Sequence, residues 1–232
     1  GDNHAAIAKE KAGIIKNKIP VVIGEKKRTT QKIFEKKAYS SNSPLHFVKK
    51  DSNNYVSDLK GSYQLKNIRT ATTALNIISK ETFDESLIQK GLSNVVKNTK
   101  LMGRWQIIRN HPKVVLDIAH NKEGLLEITK QISNQKYDKL HLVLGFVKGR
   151  DVEDLLSLFP VKTNFYLSSP KIERAIPLID LKEKVKGSKL NIEIEESIVD
   201  VYKKALSNSN SSDLVIATGS TFVISEILEF IK

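Results

Sequence analysis

Apolar residues along this chain fall into two spacings, and the alternation between them sets out the elements. Ala5, Ala8, Ala12 and Ile15 stand three or four apart, the spacing of one helix face, with Asp2 or Asn3 placed to cap the first turn. Gly13 interrupts this helix-forming stretch at a cost of about 1 kcal/mol against alanine, which marks a helix end or a close approach of backbone. Pro20-Val21-Val22-Ile23-Gly24 is a short apolar run stopped by glycine, the pattern of a buried strand. A helix is then predicted over 30–39, β structure over 45–48 and more weakly at Tyr55-Val56, and helices over 67–79 and 84–96. The last opens on acidic residues, which suit the positive end of a helix.

Beyond Asn98-Thr99-Lys100 the texture changes. Residues 105–109 and 114–118 read as two strands around an Asn110-His111-Pro112 turn. From there helices over 123–132, 152–158, 178–186, 198–206 and 221–231 alternate with strands over 140–144, 164–167, 191–194 and 214–217. Such alternation predicts an α/β fold with a mainly parallel sheet, helices on both faces and right-handed crossovers. The change of texture divides the chain into domains 1–99 and 100–232. Ligands of such sheets sit beyond the carboxyl ends of the strands. Chemistry is therefore expected at Asp117-Ile118-Ala119-His120-Asn121, Gly145, Ser168-Ser169 and Thr218-Gly219-Ser220.

Composition narrows the function classes. The 232 residues are 40% apolar and 28% charged, the balance of an ordinary folded protein, and no apolar run approaches the ~20 residues of a membrane span. The chain opens on Gly1-Asp2-Asn3 without an initiator Met or a secretory leader, which suggests a piece of a longer, cytoplasmic protein. With no cysteine, disulfides, a thiol nucleophile and thiolate metal sites are excluded. A net charge of +12 raises the question of nucleic acid. The lysines, however, are scattered in short clusters (Lys26-Lys27-Arg28, Lys36-Lys37, Lys49-Lys50, Lys203-Lys204) and are not interleaved with aromatics. The excess reads as a solvated surface with some capacity for anions such as nucleotides, so small molecules, and neither nucleic acid nor membrane, are the expected partners of what should be a monomer.

Five strings place polar side chains where ligands bind. Glu10-Lys11-Ala12-Gly13-Ile14 by composition is only an amphipathic helix. In Gln64-Leu65-Lys66-Asn67 the Asn is either a helix cap or an amide that reads an adenine edge as donor and acceptor at once. Gly103-Arg104-Trp105-Gln106 offers an exposed Arg at a strand start or a planar fork for phosphate. In Val114-Val115-Leu116-Asp117-Ile118-Ala119-His120-Asn121 an apolar strand runs straight into Asp and His. Thr218-Gly219-Ser220-Thr221 makes Ser220 a plain helix cap or part of a carboxylate site at a helix N-terminus. His46, His111 and His141, in strands or turns, are expected to be structural.

Taken in order, these strings resemble the folylpolyglutamate synthase/dihydrofolate synthase family of the Mur ligase superfamily. The family patterns are Glu-Lys-Ala-Gly-Ile, Gly-x-His-Gln-x-x-Asn, Gly-Arg-x-Gln, Asp-x-Ala-His-Asn-Pro and a late Gly-Ser. This chain departs at Tyr63, which stands for the His, and at Lys122, which stands for the Pro. Gly145-Phe146-Val147-Lys148-Gly149-Arg150-Asp151 resembles the family's Gly-x-x-x-Asp-Lys-Asp loop, with Gly149-Arg150 in place of Asp-Lys. The resemblance implies a Rossmann-like C-terminal domain preceded by the remainder of an α/β ATPase domain. It implies that Lys11, as a carbamate, serves Mg²⁺, that Asn67, Arg104 and Asp117 serve ATP, and that His120 and Ser220 serve glutamate, with Lys11 and His120 catalytic. His4 falls where the family varies and is not taken as a ligand.

The implied reaction joins L-glutamate to dihydropteroate or to tetrahydrofolate polyglutamates through an acyl phosphate. A Gly-x-x-x-x-Gly-Lys-Ser/Thr phosphate loop occurs nowhere in these residues, so the chain alone is expected to be inactive. The alternatives are a peptidoglycan-precursor Mur ligase and a non-catalytic Rossmann-like module that binds nucleotide or nucleic acid.

Overall fold

In the computed structural model, which describes residues 3–49, 55–79 and 84–232, the chain divides into two units: Gly1–Asp58 with Ser62–Thr99, and Leu59–Gly61 with Lys100–Lys232. In the first unit Asn3 caps α1 (His4–Ala12) by accepting the Ala6 N–H at 2.9 Å, and Gly13 ends it. Asp2, the other candidate cap, and Lys50 of the Lys49-Lys50 pair lie outside the described residues. Helix α2 (Arg28–Ser40) links β1 (Val21–Ile23) to β2 (Leu45–Phe47), which pair in parallel with Val21 opposite Leu45. Both strands are half-buried, where the apolar run of the first predicts full burial. Helix α3 spans Gln64–Ile78.

Two expectations fail here for tertiary reasons. Tyr55-Val56 forms no strand. The Val56 N–H and C=O pair instead with the side-chain amide of Gln89, at 3.1 and 2.8 Å, so one amide does the work of a neighbouring strand. The single helix expected over 84–96 is two, α4 (Glu85–Leu92) and α5 (Val95–Thr99). Asp58 starts the second by accepting the N–H groups of Val95 and Val96 at 3.2 and 2.9 Å, a cap supplied from 37 residues away in sequence.

The second unit is a six-stranded sheet in the order β3-β4-β8-β5-β6-β7. Its strands are β3 (Gln106–Asn110), β4 (Lys113–Leu116), β5 (Leu140–Gly145), β6 (Asn164–Ser168), β7 (Asn191–Ile194) and β8 (Leu214–Thr218). The β3–β4 hairpin is antiparallel and every other pairing is parallel. The helices are α6 (Lys122–Ser133), α7 (Val152–Leu156), α8 (Leu178–Lys184), α9 (Ile198–Ser207) and α10 (Thr221–Ile231). Steps from β4 to β5, β6 and β7 all run one way, so right-handed crossovers put α6, α7 and α8 on one face. The return from β7 to β8 reverses direction and puts α9 on the other. There Ile198, Val201, Tyr202 and Ala205 of α9, with Val223, Ile224 and Ile227 of α10, pack on Val114, Leu116, Val143, Val215 and Ala217 of the sheet. Inner strands covered on both faces explain why every residue of β5 and β8 is buried and why both are largely apolar. No helix among the described residues is long and apolar enough to cross a membrane.

The reversal leaves β8 between β4 and β5. The chain leaves β8 toward one face and its two neighbours toward the other, which opens a crevice at their carboxyl ends.

Candidate functional site

The carboxyl end of β4 is locked to two neighbouring segments. Asp117, buried, accepts the Trp105 N–H at 2.8 Å through one oxygen and the Ala119 N–H at 2.9 Å through the other. The Ile118 N–H donates to the Gly103 carbonyl at 2.9 Å, and the Gly103 N–H donates to Gln106 Oε1 at 2.9 Å. Two strings twelve residues apart in sequence are thus one hydrogen-bonded unit, with half-buried Arg104 held at its tip. Gly103 (φ +70°) and Trp105 (φ +49°) both take left-handed backbone. Gly103 must be glycine, since a Cβ there would lie 2.6 Å from Ile118 Cγ2. Trp105, read from sequence as the first strand residue, is instead the end of this turn, its ring buried and its strained backbone held by Asp117.

On the other side β4 meets β8. The Asp117 N–H donates to Ala217 O at 3.0 Å, and the Ala119 carbonyl accepts both the Gly219 N–H (2.8 Å) and the Thr218 hydroxyl (2.9 Å). Gly219 (φ +119°) passes so close to β5 that a Cβ would sit 2.6 Å from the Gly145 carbonyl. These glycines form the floor of a cavity of about 180 Å³ beyond β4, β5 and β8, whose rim carries His120, Arg150, Arg174 and Ser220. That volume is below the ~300 Å³ at which drug-sized pockets begin, so it suits one small metabolite.

Its polar groups are oriented by local bonds. Ser220 caps α10 by accepting the Val223 N–H at 3.2 Å, and its own O–H remains to donate. The N–H groups of Thr221 and Phe222 are free for a ligand among the described residues. His120 is exposed, and its Nδ1 stands 3.2 Å from Ile118 O. A carbonyl can only accept, so Nδ1 carries the proton, which in the neutral ring leaves the lone pair on Nε2. Asn121 caps α6 through the Gly124 N–H at 2.9 Å. Lys122, where the family pattern has Pro, extends its ammonium to both Asp154 oxygens at 2.8–2.9 Å, linking α6 to α7. That pair is exposed and adds little stability.

The other two sequence candidates lie in the first unit. Lys11 is exposed on α1. Asn67 is the fourth residue of α3, not its cap, and its side-chain amide donates to Gln64 Oε1 at 2.9 Å. Nearby, Lys66 and Lys27 both reach Glu25, at 2.8 and 3.1 Å, and hold its carboxyl below the usual carboxylate range. No group of three or more His, Asp or Glu gathers to hold a metal among the described residues. The described residues therefore do not by themselves make a Mg²⁺ site.

The family model described as Mur ligase, glutamate ligase domain matches residues 103–221, which include the turn at Gly103, the β4 end and the floor and rim of the cavity. The chain belongs to the Mur ligase family. It is 30% identical over 98% of its length to the dihydrofolate synthase/folylpolyglutamate synthase of Buchnera aphidicola from Acyrthosiphon pisum, and spans 57% of that protein's length. Among solved structures it superposes on E. coli FolC in complex with DHPP and ADP with TM-score 0.82 at 22% identity, covering 100% of this chain and 57% of that one. A bifunctional folylpolyglutamate synthase/dihydrofolate synthase solved with Mn, AMPPNP and L-glutamate superposes with TM-score 0.81 at 18% identity, covering 100% and 58%.

The Mur ligase cavity contains two cations that do not stand among the sequence candidates. Arg150 lies in the string where Gly149-Arg150 departs from Asp-Lys, yet it lines the cavity. Arg174 lies in the loop after β6, in no motif, and only the three-dimensional path of that loop brings it to the rim.

Proposed function

We propose that this chain is the glutamate-receiving part of an ATP-dependent ligase that forms an amide between L-glutamate and dihydropteroate or a folate. The observation that carries the reading is the cavity beyond β4, β5 and β8. It combines a helix N-terminus, a capping Ser220 with a free O–H, two guanidinium groups and an exposed imidazole. These groups suit the carboxylates and the amine of a small amino acid. In the reaction, ATP gives its γ-phosphoryl group to the acceptor's carboxylate. The glutamate amine attacks the acyl carbon, phosphate leaves, and the amine proton is passed on. His120 Nε2, with its lone pair, is the group placed to take that proton. Ser220 and the α10 N–H groups hold a glutamate carboxylate so that the amine is presented. Arg104 binds nucleotide phosphate, and Asp117 acts there by holding the turn that carries Arg104. Asn67 serves the adenine.

The folate branch is favoured over peptidoglycan precursors because the curated relatives are folate enzymes. The nucleic-acid reading is weakened by internal pairing of cations, as in Lys66 with Glu25 and Lys122 with Asp154. Mg²⁺ would supply charge neutralisation on the phosphates, and from this chain Lys11, as a carbamate, would contribute an oxygen ligand. The test is ADP release. The chain 1–232 alone is expected to show none that depends on L-glutamate. Carried behind a phosphate-loop segment, it should require L-glutamate and a pteroate acceptor together, and His120→Ala should lower the rate about a hundredfold. Glutamate-independent turnover, or an unaffected His120→Ala variant, would refute the assignment.

A further inference from the structure

Arg174 reaches the cavity from the loop after β6, outside every motif of the sequence. The loop after β6 is tied back to the segment after β5. The Lys148 N–H donates to the Arg174 carbonyl at 2.9 Å, Val147 bridges Ala175 in antiparallel fashion, and the Ile176 N–H donates to Phe146 O at 3.3 Å. Main-chain bonds on both sides therefore fix the Arg174 Cα at the rim. Its guanidinium lies over the ring of Phe222, 5.6 Å from the centroid. Phe222 is in the first turn of α10, next to the N–H groups that face the cavity. A guanidinium held by its face keeps its N–H edge for another partner. No carboxylate of a described residue pairs with Arg174, so this edge is not already spent.

The cavity thus presents two kinds of carboxylate receptor in a volume of about 180 Å³. One is the α10 N-terminus with Ser220, and the other is guanidinium, that of Arg150 and that of Arg174, of which Arg174 is braced against Phe222. A receptor for a single carboxylate needs only the first. We infer that Arg174 is a specificity residue of the site: it binds the side-chain carboxylate of the incoming amino acid and so selects an acidic amino acid over its amide or an apolar isostere. The inference rests on the reading of this cavity as the amino-acid site. An uncharged side chain would leave the guanidinium facing a group that cannot neutralise it, which is how a site rejects a near-isosteric competitor. The ring of Phe222 matters by holding the guanidinium in place, which makes Phe222 a positioning residue.

The experiment is calorimetric titration of the protein with L-glutamate and with L-glutamine, for the wild-type chain, Arg174→Leu and Phe222→Leu. Arg174→Leu should weaken L-glutamate by about tenfold or more and leave L-glutamine within about twofold, so that the preference between them collapses. Phe222→Leu should reduce the preference by a smaller factor, and decides the matter if the Arg174 variant does not fold. Equal weakening of both amino acids would show that Arg174 only shapes the wall. An unchanged preference in both variants would likewise overturn the inference. If the wild-type chain binds neither amino acid, the amino-acid reading of the cavity falls, and the role of Arg174 falls with it.

Discussion

Asp117 shows how one residue can join two motifs. Its two oxygens take the N–H groups of Trp105 and Ala119, and it is almost wholly buried. Asp117→Ala would leave those donors without the carboxylate, one of them on a residue with positive φ. We expect a loss of about 2–3 kcal/mol in urea denaturation, with the turn at Arg104 loosened. A variant as stable as the wild type would show that the two segments are held by other means. The end of an apolar strand makes the place of Asp117 legible in the sequence, and the places of His120 and Ser220 are legible for similar reasons of position. That Trp105 is a left-handed turn residue is not legible there, since no side-chain pattern announces a backbone held by a carboxylate twelve residues on. Arg174 was illegible for the same cause: its place depends on bonds between two loops.

At the scale of elements, the amino ends of β5 and β8 are joined by a buried polar chain. Asn208 Nδ2 donates to the Tyr166 hydroxyl at 3.2 Å, and that hydroxyl is 3.1 Å from His141 Nδ1. His141 Nε2 is 3.2 Å from Asp213 Oδ2. The Asn208 NH2 group can only donate and the Asp213 carboxylate only accept, an order that suits a Tyr166 hydroxyl donating to Nδ1 and an Nε2–H donating to Asp213. Burial alone would push the Asp213 carboxyl up, but the N–H of Asn210, His141 and the N–H of Lys139 together outweigh it and hold the pKa below the ordinary value. A depressed carboxyl stabilises the fold above its unfolded pKa of about 3.9, and that contribution is lost as pH falls through the lower folded value. Unfolding free energy measured from neutral pH down to about 2 should therefore fall below about 4, and Asp213→Asn should flatten that arm. An Asp213→Asn profile parallel to the wild type would contradict this. His141 is structural, as its strand position suggested, whereas the break between α4 and α5 was hidden because its cap, Asp58, lies far away in sequence.

For the whole molecule, the alternation of strand and helix beyond residue 100 was enough to give the α/β class and the mainly parallel sheet, because short, largely apolar runs bounded by turn residues differ in length and spacing from half-buried helices. Strand order was not legible, and it is the insertion of β8 between β4 and β5 that opens the cavity. The central claim is that this cavity receives an amino acid. Its most direct test is titration of the isotopically labelled chain with L-glutamate, followed through backbone amide resonances. The amides of His120, Gly145, Arg150, Arg174, Thr221 and Phe222 are expected to move together and saturate along one binding curve. Saturable shifts confined to another part of the chain, or no shift in these six as glutamate is raised, would contradict it.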